Sequence, residues 1–240
     1  MKTQKNKLRC TEEEIRRIFT KNYSTITHEI EITIDNILIN KEGQEIIIEK
    51  IIKRAHLKNN DTQVIDGLIY QKIIETNNNQ IREKLLKKLP NGIINFTKFN
   101  QITYQNLQNL LINKKFEEAD KLTQQCLCEI VKLKTNNQKS WLYFTDIQFI
   151  PKEDLFILDL LWKIYSKGKF GFSIQKKIWM KNNKKWDKLW EKIDWLKKGV
   201  MKRYPQEFMW TVDAPEGHLP LFNQLRGTQT LSYLFNNIEW

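Results

Sequence analysis

Histidine is scarce: His28, His56 and His218 are the only three among 240 residues, and alanine and cysteine also occur three times each. No His-Glu-x-x-His spacing, Gly-rich phosphate loop or nucleophile with an evident base is present, which removes the commonest hydrolytic and phosphoryl-transfer signatures. His28 and His56 have no partner that spacing would nominate, and His218 is expected to orient its surroundings by a hydrogen bond rather than to catalyse. Cys10, Cys126 and Cys128 are too few for a disulfide framework and point to a reducing compartment. The Cys126-x-Cys128 pair lacks zinc-ligand spacing and lies in an apolar helical run, so both thiols are expected in a core and no metal site is expected. No run approaches the roughly 20 apolar residues that span a bilayer. Residues 1–10 are basic and polar, without the apolar stretch of a secretory signal.

What the chain has in abundance is positive charge. Its net charge is +12, carried by 33 lysines and 7 arginines, a balance that favours nucleic acid, anionic lipid or a carboxylate-bearing ligand. Lysine, isoleucine and asparagine also have A- and T-rich codons, so an AT-rich genome such as a plastid's accounts for much of this excess. Lysines interleaved with tryptophan at 176–198 would suit single-stranded nucleic acid. The tryptophans there nevertheless keep helical spacing, which places them against a core.

The hydrophobic pattern is helical throughout. Thr11 and Glu14 read as a capping box opening a helix that carries Ile15 and Ile18. Residues 26–39 fit both a strand and a helix, and the helical neighbours favour helix. Gly43 is expected to break the chain. Helices follow over Ile47 to Ala55, ending near His56, then over Val64 to Ile74 and Ile81 to Leu89, where Pro90-Asn91-Gly92 stops the last. All eight tryptophans lie from Trp141 onward, and that shift in composition sets a domain boundary near residue 92. The expected organisation is an N-terminal helical bundle, 1–92, and a second helical domain, 93–240.

The second domain opens with a helical hairpin, Leu107 to Leu111 and Phe116 to Cys126, linked by Asn113-Lys114-Lys115. Pro151, Glu153 and Asp154 start a helix apolar over most of its circumference, the expected central helix. Ser173 is expected to cap the helix bearing Ile174, Ile178 and Trp179. Trp186 to Ile193 forms one more helix, beyond which Phe208, Trp210 and Val212 alternate like an extended segment. The stretch from Pro215 to Gly227 is a rigid corner. Two prolines and Gly217 surround His218, and Leu221, Phe222 and Leu225 with Asn223, Gln224 and Arg226 read as a turn or two of helix. A small apolar face edged by one guanidinium suits a flat apolar ligand with an acidic rim, and it equally suits a loop that plugs a core. Aromatic residues around Phe144, Phe172, Tyr204 and Phe208 exceed what a core of this size needs.

Trp141-Leu142-Tyr143-Phe144-Thr145, then Phe170-Gly171-Phe172-Ser173 with Gln175 and Trp179, then residues 215–227, together resemble the genomes-uncoupled-four family. That family comprises porphyrin-binding activators of magnesium chelatase. The resemblance implies an all-α chain in which the N-terminal helical bundle precedes a cupped all-helical porphyrin-binding domain. It implies protoporphyrin IX and Mg-protoporphyrin IX as ligands, no covalent cofactor, no catalysis, and the large porphyrin-binding subunit of magnesium chelatase as partner. Linear tetrapyrroles and peripheral membrane association stay open; no nucleic-acid partner is implied, and the place of action is the plastid stroma. By the same resemblance Phe144 and Ile147 line the palm, and Tyr204 and Phe208 sit on a loop closing over the ring. Leu225 joins the porphyrin contacts, while Asn223 and Arg226 meet the propionates. Tyr204 stands where relatives often have tryptophan, and Gln229 where a second arginine follows. Two other readings remain at this level: a basic, aromatic single-stranded nucleic-acid module, and a helical interaction scaffold without ligand.

Overall fold

α3, Lys41–Ala55, is the hub of the N-terminal unit, with Ile47, Ile48 and Ile51 wholly buried along one side. The computed structural model describes residues 2–55, 62–96, 104–136, 138–222 and 228–240, and side chains from residue 11 onward. Around α3 pack α1 (Lys2–Thr20), α2 (His28–Ile39), α4 (Val64–Glu75) and α5 (Asn79–Lys88). Isoleucine at 3.6-residue spacing supplies most of this core, and its stiff χ1 lets the helices interlock at little rotamer cost. The ambiguous stretch 26–39 is helical, as its neighbours implied. Two local expectations fail. Thr11 lies inside α1 rather than at its start, because the polar residues before it extend the same helix. Gly43 does not break the chain but sits buried in the first turn of α3, after the break at Asn40. A Cβ there would stand 2.6 Å from the Ile37 carbonyl oxygen, so the glycine serves the close approach of two helices. His56 lies outside the described residues.

The chain divides into two compact units, Met1–Asn95 and Phe96–Trp240. Among the described residues of the second, the regular structure is helical apart from a ribbon of two two-residue strands, with turns and irregular chain over 202–222. Its hairpin is α6 (Gln105–Ile112) and α7 (Phe116–Thr135), followed by a 3-10 helix (Phe144–Phe149) and α8 (Lys152–Tyr165). α9 (Phe172–Lys181) and α10 (Trp186–Lys192) come next, then strands β1 (Leu196–Lys197) and β2 (Val200–Met201), and finally α11 (Thr228–Asn237). α8 is the central helix, with Leu158, Leu161 and Trp162 wholly buried. Its polar atoms are satisfied inside: Trp162 Nε1 donates to Thr123 Oγ1 at 3.0 Å, and Tyr165 Oη to Gln108 Oε1 at 2.8 Å.

Two expectations for this unit are corrected. Ser173 does not cap α9; Gly171 takes the cap position, and the acceptor for the Ser173 amide is the Asp159 carboxylate of α8, 2.8 Å away. The alternation of Phe208, Trp210 and Val212 forms turns, not a strand, and the ribbon lies earlier, pairing Leu196 with Met201. The turn or two of helix expected over Leu221 to Arg226 lies largely outside the described residues, and α11 begins at Thr228. α11 packs against the 3-10 helix and α9.

Candidate ligand site

Residues 215–222 are held from every side by hydrogen bonds, which is how a segment without regular structure stays in place. The Gly217 amide donates to the Lys169 carbonyl at 2.8 Å, and the Gly171 amide to the Leu219 carbonyl at 3.0 Å. Gln175, buried in α9, reaches across with Nε2 to the carbonyls of Gly217 (3.0 Å) and Pro220 (2.9 Å). Gly217 has φ near 79°, and a Cβ there would meet Ile178 and Ile193 within 3 Å. Glycine is therefore required at that position.

His218 is wholly buried and both ring nitrogens are engaged. Nδ1 lies 2.6 Å from the Ile193 carbonyl, to which it must donate, and Nε2 accepts the Met209 amide at 3.1 Å. This pattern requires the neutral ring, and burial pushes its pKa below the usual histidine value, partly offset by the bond to Ile193. The Trp195 indole donates to the His218 carbonyl at 2.8 Å. The ring is a structural clamp.

Much of the aromatic surplus goes into packing. Trp179, Trp186, Trp190 and Trp195 form a continuous stack with centroid spacings of 4.8, 5.3 and 5.2 Å. Phe208, 6% exposed, meets Trp195, His218 and Trp210 at 6.5, 5.6 and 6.3 Å. Phe172 faces Phe222 at 5.9 Å. Trp162, Trp179, Trp190 and Trp195 are buried, as their helical spacing predicts, so those four rings present no stacking platform to bases.

A cavity of about 550 Å³ opens beside Leu221. Its floor is α7, through Asp120, Gln124 and Cys128, and Lys139 stands at one rim. Tyr204 and Leu221 close the other side. This wall is more polar than the oily palm expected, because much of the aromatic material has been drawn into the core. Lys139 donates to Asp146 Oδ1 at 2.6 Å and lies 5.5 Å from the Tyr143 ring centroid. Asp146 also accepts the Tyr143 amide at 2.8 Å, which starts the 3-10 helix.

Asp120 is the unusual group. It is buried, and its Oδ1 accepts the Leu221 amide at 2.6 Å. Burial pushes its carboxyl up to about 7, against the opposing pull of the Leu221 amide and Lys121. The Tyr204 phenol is pushed up as well, first by burial and then by the charge of Asp120.

Of the residues expected at the site, Tyr204 lines this cavity, 40% exposed. Phe144 is 36% exposed at the start of the 3-10 helix, its ring 5.4 Å from Tyr233. Ile147, on the inner face of the same helix, is 1% exposed, and Phe208 is equally a core residue. Asn223, Leu225 and Arg226 lie outside the described residues. Sequence reasoning missed Asp120, Gln124 and Lys139. A carboxylate on the apolar face of α7, between Phe116 and Thr123, was the available signal for the first. Among the described residues no group of three or more His, Cys, Asp or Glu side chains could hold a metal, and Cys126 and Cys128 are buried free thiols.

Residues 97–237 match the family model described as GUN4-like. The chain belongs to the GUN4-like family. It is 45% identical over 202 residues to the ycf53 protein of Porphyra purpurea, covering 83% of this chain and 82% of that one. That alignment is longer than the second unit and so reaches into the first. The chain is also 35% identical over 140 residues to the Arabidopsis thaliana "Tetrapyrrole-binding protein, chloroplastic", covering 55% of this chain and 52% of that protein. Among solved structures it resembles GUN4 from Chlamydomonas reinhardtii, with a TM-score of 0.51 and 40% identity over 57% of this chain and 89% of that one. The family match begins at the boundary of the second unit, which carries the cavity.

Proposed function

We propose that this chain is a non-enzymatic tetrapyrrole-binding regulator that takes protoporphyrin IX and Mg-protoporphyrin IX and stimulates magnesium chelatase through its large porphyrin-binding subunit. The observation carrying this reading is the cavity bounded by α7, Tyr204 and Leu221, set within the stretch that matches the GUN4-like family. Its volume of about 550 Å³ falls inside the range of about 300–1,000 Å³ usual for ligand sites. The name of the Arabidopsis relative supports a tetrapyrrole as ligand and a chloroplast as the place of action. The single histidine of the second unit is occupied on both nitrogens, which supports binding without catalysis.

In this reading Tyr204 meets the ring from the cavity wall and Phe144 from the 3-10 helix, while Phe208 and Ile147 contribute from the core. Leu225, Asn223 and Arg226 follow Leu221 in sequence, and the arginine and asparagine would meet the propionates as charge-assisted and neutral donors. Covering several hundred Å² of apolar ring at about 25 cal/mol per Å² gives on the order of 10 kcal/mol before losses. Loop ordering and lost ligand freedom lower this to roughly micromolar affinity, suited to a carrier that must release its cargo. Residues 1–92 would act as an accessory helical domain and 93–240 as the binding domain.

The test is a titration of protoporphyrin IX into the full chain, followed by tryptophan quenching and the Soret band. Saturable changes that weaken about tenfold in Tyr204→Ala are expected. A spectrum indistinguishable from free porphyrin would remove the reading.

A further inference from the structure

A buried carboxylate at the floor of a cavity proposed for an acidic ligand is a conflict that needs an explanation. Asp120 belongs to α7, and its one hydrogen-bond partner among the described residues is the Leu221 amide, on a segment 101 residues away. That bond joins the two walls of the cavity, since both residues line it. An ionised Asp120 would repel a ligand carboxylate held in the same cavity, whereas a protonated one would not.

We propose that Asp120 is a positioning residue that holds the Leu221 wall against α7 and couples uptake of an acidic ligand to one proton, which Asp120 carries in the complex. The coupling rests on the tetrapyrrole reading above; the bond to Leu221 does not. Among the described residues three ionisable groups interact with Asp120. Glu117 and Lys121 lie on α7 itself, joined to each other at 2.7 Å. The Tyr204 phenol lies on the opposite wall. The Lys121–Glu117 pair is exposed and therefore screened, so it leaves the balance at Asp120 to burial. Its carboxyl titrates at about 7, so the free protein passes from the protonated to the ionised form across neutral pH. A ligand dianion binds the protonated form better and by linkage raises that value further.

The experiment compares the parent chain with Asp120→Asn, which keeps an acceptor oxygen without a charge, and Asp120→Ala, which keeps neither. Protoporphyrin IX affinity is measured between pH 6 and 8.5, with the dimethyl ester as uncharged control. Hydrogen exchange at the Leu221 amide is followed without ligand. The parent is expected to lose roughly tenfold in affinity between pH 7 and 8.5, with the ester showing no such slope. Asp120→Asn should bind with a flat pH profile and retain slow exchange at Leu221. Asp120→Ala should bind weakly at every pH and exchange that amide at least about tenfold faster. A parent-like pH slope in Asp120→Asn would overturn the coupling, and unchanged exchange in Asp120→Ala would overturn the positioning role. Circular dichroism confirms that each variant is folded. Absence of binding by the parent at any pH overturns the tetrapyrrole reading and the coupling with it, while the exchange measurement still decides the contact.

Discussion

Asp159, in the middle of the central helix α8, caps a different helix: its Oδ1 accepts the Ser173 amide of α9 at 2.8 Å. Its other oxygen accepts the Trp240 indole at 3.0 Å, so one carboxylate ties the start of α9 and the last residue to α8. Asp159→Ala is expected to cost about 1–3 kcal/mol, from a lost helix cap and part-buried donors left without this partner. Asp159→Asn should cost less, since it keeps an acceptor for Ser173. Urea unfolding of the two variants decides this; equal losses would mean that volume, not hydrogen bonding, is what α8 needs.

Gly43→Ala tests the α2–α3 junction. In an ordinary helix this change stabilises by about 0.5–1 kcal/mol. Here the added methyl would press on backbone at 2.6 Å, so a net loss of about 1–3 kcal/mol is expected. A raised melting temperature would show that the junction relaxes freely.

His218 makes stability depend on acid. Its folded pKa is depressed by burial, so its contribution is complete above the unfolded value of about 6.5 and is lost as pH falls through the folded value. Asp120 acts with the opposite sign: its folded value of about 7 exceeds the unfolded one, so its contribution is complete near pH 4 and is lost as pH rises through 7. Unfolding free energies of His218→Gln should therefore fall less steeply than the parent's between pH 6.5 and 5. Those of Asp120→Asn should fall less steeply than the parent's between pH 5 and 8. Parallel profiles would sink either assignment.

Arg226→Ala should weaken protoporphyrin IX by about tenfold or more and its dimethyl ester far less, because a hydrogen bond to a charged group contributes about 1.5–3 kcal/mol. Fluorescence titrations of both ligands provide the comparison, and equal weakening would remove the propionate contact.

Cys126 and Cys128 should resist alkylation in the folded chain at pH 8 and react in denaturant. Burial pushes the Cys126 thiol up to about 11 and the Cys128 thiol upward as well. Mass spectrometry after iodoacetamide treatment measures this directly.

Helix content was readable because it depends on neighbours three and four residues apart. Ile34 and Ile37 of α2, Ile47 and Ile51 of α3, and Leu107 and Leu111 of α6 all point inward. The errors fell where the partner is remote. Ser173 looked like a cap because the real acceptor, Asp159, lies 14 residues earlier on another helix. Gly43 looked like a breaker because its contact with Ile37 is steric and leaves no mark in composition. At the candidate site, Tyr204 and the corner motif were visible, but the cavity's other wall was not. Nothing near Asp120 in sequence announces Leu221.

From the order of residues alone came the helical class, the two-part organisation and the three motifs shared with a family of porphyrin binders, since periodicity and short motifs are local properties. Only the folded chain decided that Phe208 and Ile147 are interior, that His218 is locked neutral, and that a carboxylate meets the corner inside the cavity. Those outcomes depend on burial and on contacts across up to 101 residues, and desolvation is a property of the assembled interior that no short stretch of sequence carries.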